Sequence, residues 1–457
     1  MKLIYGIKDR PKFGQVIVFA IQQLLAIMAA TLVVPVIIST SDSIPPELLP
    51  EMSSAAALLG AGIGTLVYQL FTRFKSPVFL GSSFAFIGPM CAAFAGAASV
   101  QAGFLGLIIG ATMAGLVYML IALIVKLAGV KWIAKLMPAV VIGPTVAIIG
   151  LSLAGNAVGD LQKAPAGGSV YVAIICGLVT LAVTMLCATF GKKMVRLIPF
   201  IMGILAGYAV AAIFTVIGMV ADIPSLLVIN FDPIKSLFAP FTFESIISVP
   251  DLTFMQAIKG VTEINAEYIF SLFVAYVPVA AVVFAEHLAD HKNLSTIIEH
   301  DLLEEPGLHN TLLGDGVGSV AGAIFGGCPN TTYGESVGCV AITGNASVIT
   351  ITVTAFLAIA ISFLSPFVAF VNTIPSCVMG GVCMALYGFI AVSGLKMIQK
   401  VDLEKNRNLF VVSVILIAGI GGLSVTFGKV TLTTVACALI LGILANLMLG
   451  IKDSKEK

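Results

Sequence analysis

Charge is what this chain has least of. Only 10% of its 457 residues are Asp, Glu, Lys or Arg, where a soluble chain carries about a quarter. That scarcity excludes an ordinary water-soluble domain, and the hydrophobic share of 59% is its counterpart. A net charge of +1 says nothing about a nucleic-acid partner, and none is expected. Tryptophan is nearly absent, at one residue, and histidine is held to four. The eight cysteines (Cys91, Cys176, Cys187, Cys328, Cys339, Cys377, Cys383 and Cys437) lie in apolar segments without metal-type spacing. They read as small core residues rather than as disulfides or ligands. Met1 to Gly14 is polar and basic, which is not the pattern of a cleavable signal peptide, so the first apolar run is expected to be a span.

What is present is a series of apolar runs of roughly 20 residues, the length of a spanning helix. Fourteen are expected, near 15–40, 54–72, 77–97, 102–126, 134–156, 168–190, 196–220, 266–287, 308–326, 329–343, 347–371, 374–395, 408–426 and 430–451. With the N-terminus inside, 20 of the 24 Lys and Arg fall on the inner side, and only Lys163, Lys235, Lys259 and Lys429 fall outside. Inner loops of membrane proteins carry such an excess, so both termini are expected in the cytoplasm. The longest polar stretch, 221–265, then forms a mildly acidic outer loop.

Two interruptions of these runs resemble each other. Ser82-Ser83-Phe84-Ala85-Phe86 and Thr331-Thr332-Tyr333-Gly334-Glu335 both run hydroxyl, hydroxyl, aromatic, small, and each has a proline upstream, Pro77 or Pro329. Three further pairs keep the same order. Gly62-Ile63-Gly64-Thr65 matches Gly316-Val317-Gly318-Ser319, Pro138–Gly143 matches Pro375–Gly380, and Gly203-Ile204-Leu205-Ala206 matches Gly442-Ile443-Leu444-Ala445. The chain is therefore expected to be a duplication with seven spans in each half. An odd number inverts the second copy, and inverted repeats place their binding site between two broken helices at mid-membrane. Unpaired backbone at that depth must be buried or line a cavity. Ser82–Phe84 and Thr331–Tyr333 are expected to pair as short antiparallel strands in spans three and ten, with half-helices starting near Ala85 and Gly334.

Nearly all of the 23 acidic residues sit in expected loops or at span ends. Glu335 is the exception, at the start of a half-helix, and Glu286 closes the run Ile269–Ala285 with Asp290 one turn on, along the same helical face. Intramembrane carboxylates mark transport sites by default, although Glu335 also suits a helix N-terminus and Glu286 a helix end at the interface. Asp315, flanked by Gly314 and Gly316, reads as a cap at the inner edge. Three patterns mislead. Gly334-Glu335-Ser336-Val337-Gly338 fits the hydrolase nucleophile elbow, but that elbow needs a soluble parallel sheet and a downstream His. His287 and His291 are four apart, yet Glu286 precedes the first instead of following it. Asn330-Thr331-Thr332 is a glycosylation sequon inside an apolar segment, where it is unusable.

Gly81–Phe86, Ala285-Glu286-His287, Pro306-Gly307-Leu308-His309 and Asn330–Glu335 together resemble the signature segments of the nucleobase–ascorbate transporters, and within them the bacterial uracil permeases. The resemblance covers essentially the whole chain. It implies an all-α polytopic fold of fourteen transmembrane segments in a 7+7 inverted repeat. The core domain would be 1–130 and 266–372, the gate domain 131–220 and 373–457, with the outer loop 221–265 between. It implies proton-coupled uptake of uracil across the bacterial cytoplasmic membrane, no cofactor beyond protons as coupling ion, and a homodimer in the lipid bilayer. Carried over by residue, Glu286 and Glu335 would accept the ring N–H groups of uracil. Backbone groups at Phe84, Tyr333 and Gly334 would meet its carbonyls, with Ala30 close by. Glu286, Asp290 and Glu335 would serve proton coupling. The chain departs from the family pattern in three places: Asp290 stands where uracil permeases often have His, Ser336 where Asn is usual, and Gln22-Gln23 where Gln-His is usual. A xanthine or purine symporter of the same family is the nearest alternative, and an anion carrier of the same fold a more distant one.

Overall fold

The computed structural model describes residues 3–450 apart from 130–137, 166, 193, 240 and 428–429. The principal helices in chain order are α1 (Phe13–Ser39), α2 (Ser54–Phe71), α3 (Ile87–Ala95), α4 (Val100–Ala128), α5 (Ala139–Ser152), α6 (Val170–Phe190) and α7 (Pro199–Ala221). They continue as α8 (Ala266–Ile298), α9 (Leu308–Gly326), α10 (Gly334–Thr343), α11 (Val348–Ser362), α12 (Ser376–Ile398), α13 (Asn406–Ile420) and α14 (Thr434–Gly450). Among the described residues four three-residue strands accompany them: β1 (Leu80–Ser82), β2 (Asn330–Thr332), β3 (Val425–Phe427) and β4 (Val430–Leu432). Among the described residues, eight helices are long and apolar enough to cross a membrane: α1, α2, α4, α5 with its continuation Ala154–Gln162, α6, α7, α8 and α12. Helices α11, α13 and α14 are apolar but shorter. Lipid-length apolar helices in this number make the chain a multi-pass membrane protein.

The two matched interruptions meet. β1 and β2 pair antiparallel, with Leu80 opposite Thr332, Gly81 opposite Thr331 and Ser82 opposite Asn330. The ladder is extended by Ser83 N–H donating to the Pro329 carbonyl at 2.9 Å and Tyr333 N–H donating to the Phe79 carbonyl at 3.3 Å. Backbone that no helix could satisfy is thus paired inside the protein. The first strand lies two residues earlier than expected, at 80–82 rather than 82–84. Phe84–Phe86 form a turn instead, closed by Ile87 N–H to the Phe84 carbonyl at 3.2 Å, so α3 starts at Ile87 and not near Ala85. In that turn Phe86 is driven into the core, stacked on Tyr276 with ring centroids 5.7 Å apart. The second half-helix, α10, starts at Gly334 as expected.

The strand pair is held by the crossing of α2 and α9, and this is where the second matched pair lies. A Cβ on Gly64 would come 2.7 Å from the Gly318 carbonyl oxygen, and one on Gly318 would come 2.8 Å from the Gly64 carbonyl oxygen. The two glycines let the helix backbones touch, as small residues do at membrane helix interfaces. Asn330 then donates from Nδ2 to the Gly60 carbonyl at 2.9 Å, and Leu80 N–H donates to Thr65 Oγ1 at 2.9 Å, so both strands are tied to α2. The stretch 221–265 is a series of short helical turns, Pro224–Leu226, Asp232–Leu237, Phe243–Ser245, Thr253–Ala257 and Ile258–Glu263. It packs on α4, and Ile247 pairs with Leu364 beyond α11. At the opposite end, the Lys75 ammonium sits 2.6 Å from Glu305 and holds that exposed carboxyl below its usual range.

Candidate substrate cavity

Each strand delivers its chain to one wall of a cavity. After β1 the chain turns at Phe84, and after β2 it enters α10 through Tyr333, Gly334 and Glu335. Across from them α8 presents Glu286 and Asp290 from one face. All six residues line a single cavity of about 480 Å³, together with Arg196 and Phe200 from the start of α7 and its approach, and Ser393 and Met397 from α12. Ala30 is not on this wall. It is 1% exposed inside α1, and the α1 residue lining the cavity is Ala26, one turn earlier.

Side-chain hydrogen bonds set the geometry of the wall. Thr332 Oγ1 donates to Asp290 Oδ2 at 2.9 Å, fixing α8 to β2 and occupying one oxygen of that carboxylate. Tyr333 reaches back over β1, its hydroxyl donating to the Ser82 carbonyl at 2.8 Å. Gly81 makes room for that ring, because a Cβ there would lie 2.3 Å from Tyr333 Cε2. Gly81→Ala is therefore expected to displace Tyr333 and destabilise the protein by about 1–3 kcal/mol, the usual cost of overpacking. A thermal melt in detergent with the wild-type midpoint would contradict that packing. At the head of α10 the first backbone N–H groups have no acceptor within the helix, and they point toward the cavity side with a partial positive charge. The wall thus offers carboxylate acceptors and amide donors side by side.

Two departures noted in the sequence come into contact. Gln23 Nε2 donates to Ser336 Oγ at 2.6 Å, and Phe79 N–H donates to the same oxygen at 3.2 Å. Their shared hydroxyl ties α1, the approach to β1 and the first turn of α10 behind Glu335. The two histidines of the misleading metal pair are also accounted for. His287 faces Asp315 and Thr311, while His291 faces Tyr68 and the His287 carbonyl, so every ring nitrogen of the pair is hydrogen-bonded.

Sequence reasoning missed Tyr387. It sits in the middle of α12 with its ring edge on Phe84, centroids 6.0 Å apart at 80°. Its buried hydroxyl has no hydrogen-bond partner among the described residues. Beyond Phe84 lies a second cavity of about 520 Å³, lined by Ser41, Ser43, Asn156, Ser271 and Thr433. Phe84 borders both cavities, and Tyr387 packs against its ring. No sequence signal distinguished Tyr387 from other aromatics in apolar runs. Arg196 was likewise legible only as one more inner cation.

Comparison with known proteins bears on the same elements. A family model described as a permease family matches residues 14–428. The uracil permease of Bacillus caldolyticus is 37% identical over 451 residues, covering 98% of this chain and 95% of the relative. The uracil permease of Bacillus subtilis (strain 168) is 36% identical over 457 residues, with 98% and 95% covered. That of Escherichia coli (strain K12) is 34% identical over 443 residues, with 96% and 92% covered. Among solved structures, the transmembrane domain of a cyanobacterium bicarbonate transporter, BicA, superposes with a TM-score of 0.57 at 14% identity, over 98% of this chain and 99% of that one. The murine Slc26a9 anion transporter in its inward-facing state has a TM-score of 0.57 at 12% identity, over 98% and 69%. At such identities the likeness is one of fold.

Proposed function

Because this chain belongs to the permease family, whose members at this similarity are curated as bacterial uracil permeases, we propose that it carries uracil into the cell together with protons. The observation that carries this reading is the pairing of Glu286 and Asp290 on α8 with Glu335 and the free amides of α10 around one cavity. Uracil is a small neutral ring with N–H donors and C=O acceptors. Glu286 and Glu335 accept its N–H groups, backbone groups at Gly334, Tyr333 and Phe84 meet its carbonyls, and the rings of Phe84 and Tyr333 border the site. Protons are taken by Glu286 in the first place, with Asp290 and Glu335 in the same charged group.

The architecture behind this reading is a 7+7 inverted repeat. The eight long helices, the three shorter apolar ones, the glycine-rich α9 and the two strand-and-half-helix segments supply fourteen membrane segments. The reciprocal Gly64–Gly318 contact and the β1–β2 pairing support a two-fold relation between the halves. The core, 1–130 and 266–372, carries the cavity carboxylates, and the gate, 131–220 and 373–457, contributes Arg196, Phe200 and Ser393. Alternating access is movement of one against the other, with Phe84, which borders both cavities, opening the way to the second. The protein works in the cytoplasmic membrane with both termini inside, as a homodimer. An anion substrate fits poorly, because Glu335 stands at the helix end that would otherwise attract it.

A binding panel of uracil, thymine, xanthine, hypoxanthine and sulfate on purified protein tests the substrate. Uracil is expected to give the largest thermal stabilisation, since binding to the folded state alone raises stability with ligand concentration. Stabilisation by xanthine without uracil would assign the chain to purines.

A further inference from the structure

Residues 3–9, ahead of α1, lie across the far end of α10, where that helix stops at Gly344 with φ at +66°. Ile4 N–H and Tyr5 N–H both donate to the Gly344 carbonyl, at 2.7 and 3.2 Å. In return Ala346 N–H donates to the Tyr5 carbonyl at 2.9 Å and Val348 N–H to the Ile7 carbonyl at 3.2 Å. Ser347 Oγ donates to the Asp9 carbonyl at 2.7 Å. The Tyr5 hydroxyl donates to Gln15 Oε1 at 2.9 Å and its ring meets Phe19 edge-on at 6.1 Å, so the same strap is fastened to α1.

The apolar side chains of the strap have a second task. Leu3 and Ile7 pack on a small core separate from the main one, built by Val78 and Leu80 at β1, Leu294 and Ile298 of α8, and Val337 and Val340 of α10. Those three elements are also walls of the cavity. On α8, Leu294 stands one turn beyond Asp290. On α10, Glu335, Gly338, Cys339 and Ile342 share the face that lines the cavity, while Val337 and Val340 point back into the small core. Whatever fills that core therefore sets the spacing of the walls. A helix of ten residues is marginal by itself, so α10 keeps its place through what holds its ends. Ser336 ties its head to Gln23 and Phe79, and the strap ties its tail.

We propose that the strap, residues 3–9, is a positioning element of the uracil site, closing the small core behind the cavity and holding α10 so that Glu335 stays across from Glu286. This rests on the proposed uracil uptake. No residue of the strap lines the cavity, so it acts on the substrate only through the helix it holds.

The test is a protein lacking residues 2–7. Isothermal titration is expected to show uracil affinity at least about tenfold weaker, since a displacement of about 1 Å in a binding site is costly. In Glu335→Gln protein the same deletion is expected to cost less than about threefold more, because strap and carboxylate act on one contact. A strap that only stabilised the fold would lower the yield of folded protein and leave its affinity unchanged. Wild-type affinity in the deletion protein, or losses that simply add in the double variant, would overturn the proposal. If the deletion protein does not fold, Leu3→Ser with Ile7→Ser replaces it, keeping the backbone bonds and spoiling only the small core. The same outcomes decide it, and Leu3→Ile with Ile7→Val is expected to bind uracil as wild type does. Hydrogen exchange at the amides of 336–343 needs no ligand and is expected to quicken at least about tenfold in the deletion or double-Ser protein. Unchanged exchange there would overturn the proposal whatever the substrate proves to be. A wild-type protein that binds no uracil, with that exchange quickened in the variants, would count against the proposed substrate alone.

Discussion

Glu335→Gln is expected to weaken uracil binding roughly 10- to 150-fold while leaving the fold intact. The figure follows from a charge-assisted hydrogen bond worth about 1.5–3 kcal/mol, with a factor of ten for each 1.4 kcal/mol. Gln keeps one acceptor oxygen but replaces the other with an NH2 group, which meets a uracil N–H donor to donor. The scaffold beneath the side chain is not altered. Among the described residues the Glu335 carboxyl bonds to nothing beyond its own backbone amide, whereas its neighbour Ser336 anchors the turn to Gln23 and Phe79. The loss should therefore be in affinity and not in thermal stability. Isothermal titration with uracil measures it directly, and an affinity within about threefold of wild type would remove Glu335 from the binding site. Glu335→Asp is a finer probe, because it keeps the charge but shortens the reach by one methylene.

Glu335 was legible in the sequence because a carboxylate is conspicuous where nearly every neighbour is apolar. The strand pair was legible for a related reason: Ser82-Ser83 and Thr331-Thr332 break apolar runs in the same way. Their register was not, since a three-residue strand has too few positions for a period to show, and β1 lies two residues from where it was expected. The Gly64 and Gly318 motifs could be matched as copies, but the sequence does not say that the copies touch each other. That contact is a product of the fold, as is the Gln23–Ser336 bond. Read separately, those two residues are departures from a pattern, and only the folded chain makes them a pair. Tyr387 and Arg196 were illegible for the opposite reason. Each is an ordinary residue for its segment, and helix packing between distant parts of the chain brings Arg196 to the cavity and Tyr387 to Phe84. Ala30 illustrates the limit of carrying a role across by position: the cavity wall takes Ala26 instead.

Glu286→Gln is expected to leave uracil exchange running but to abolish accumulation. One elementary charge moved through 100 mV supplies about 2.3 kcal/mol, enough for roughly a 50-fold concentration ratio at one proton per uracil. A carrier that binds uracil without the proton loses that drive, and the ratio falls to about one. The choice of Glu286 over its neighbour rests on their surroundings. Asp290 is engaged by Thr332 Oγ1, whereas Glu286 has no side-chain hydrogen bond among the described residues and faces the cavity directly. A carboxylate in that position can take a proton from the cavity and share it with the substrate. Gln mimics the protonated form permanently: it donates and accepts, but it cannot release. Uptake by the variant should therefore become independent of external acidity, while counterflow of labelled against unlabelled uracil persists. If the variant still concentrates uracil and still responds to external pH, the coupling proton does not ride on Glu286. Asp290 would then be the next site to test, as Asp290→Asn, because it shares the same face of α8 one turn away.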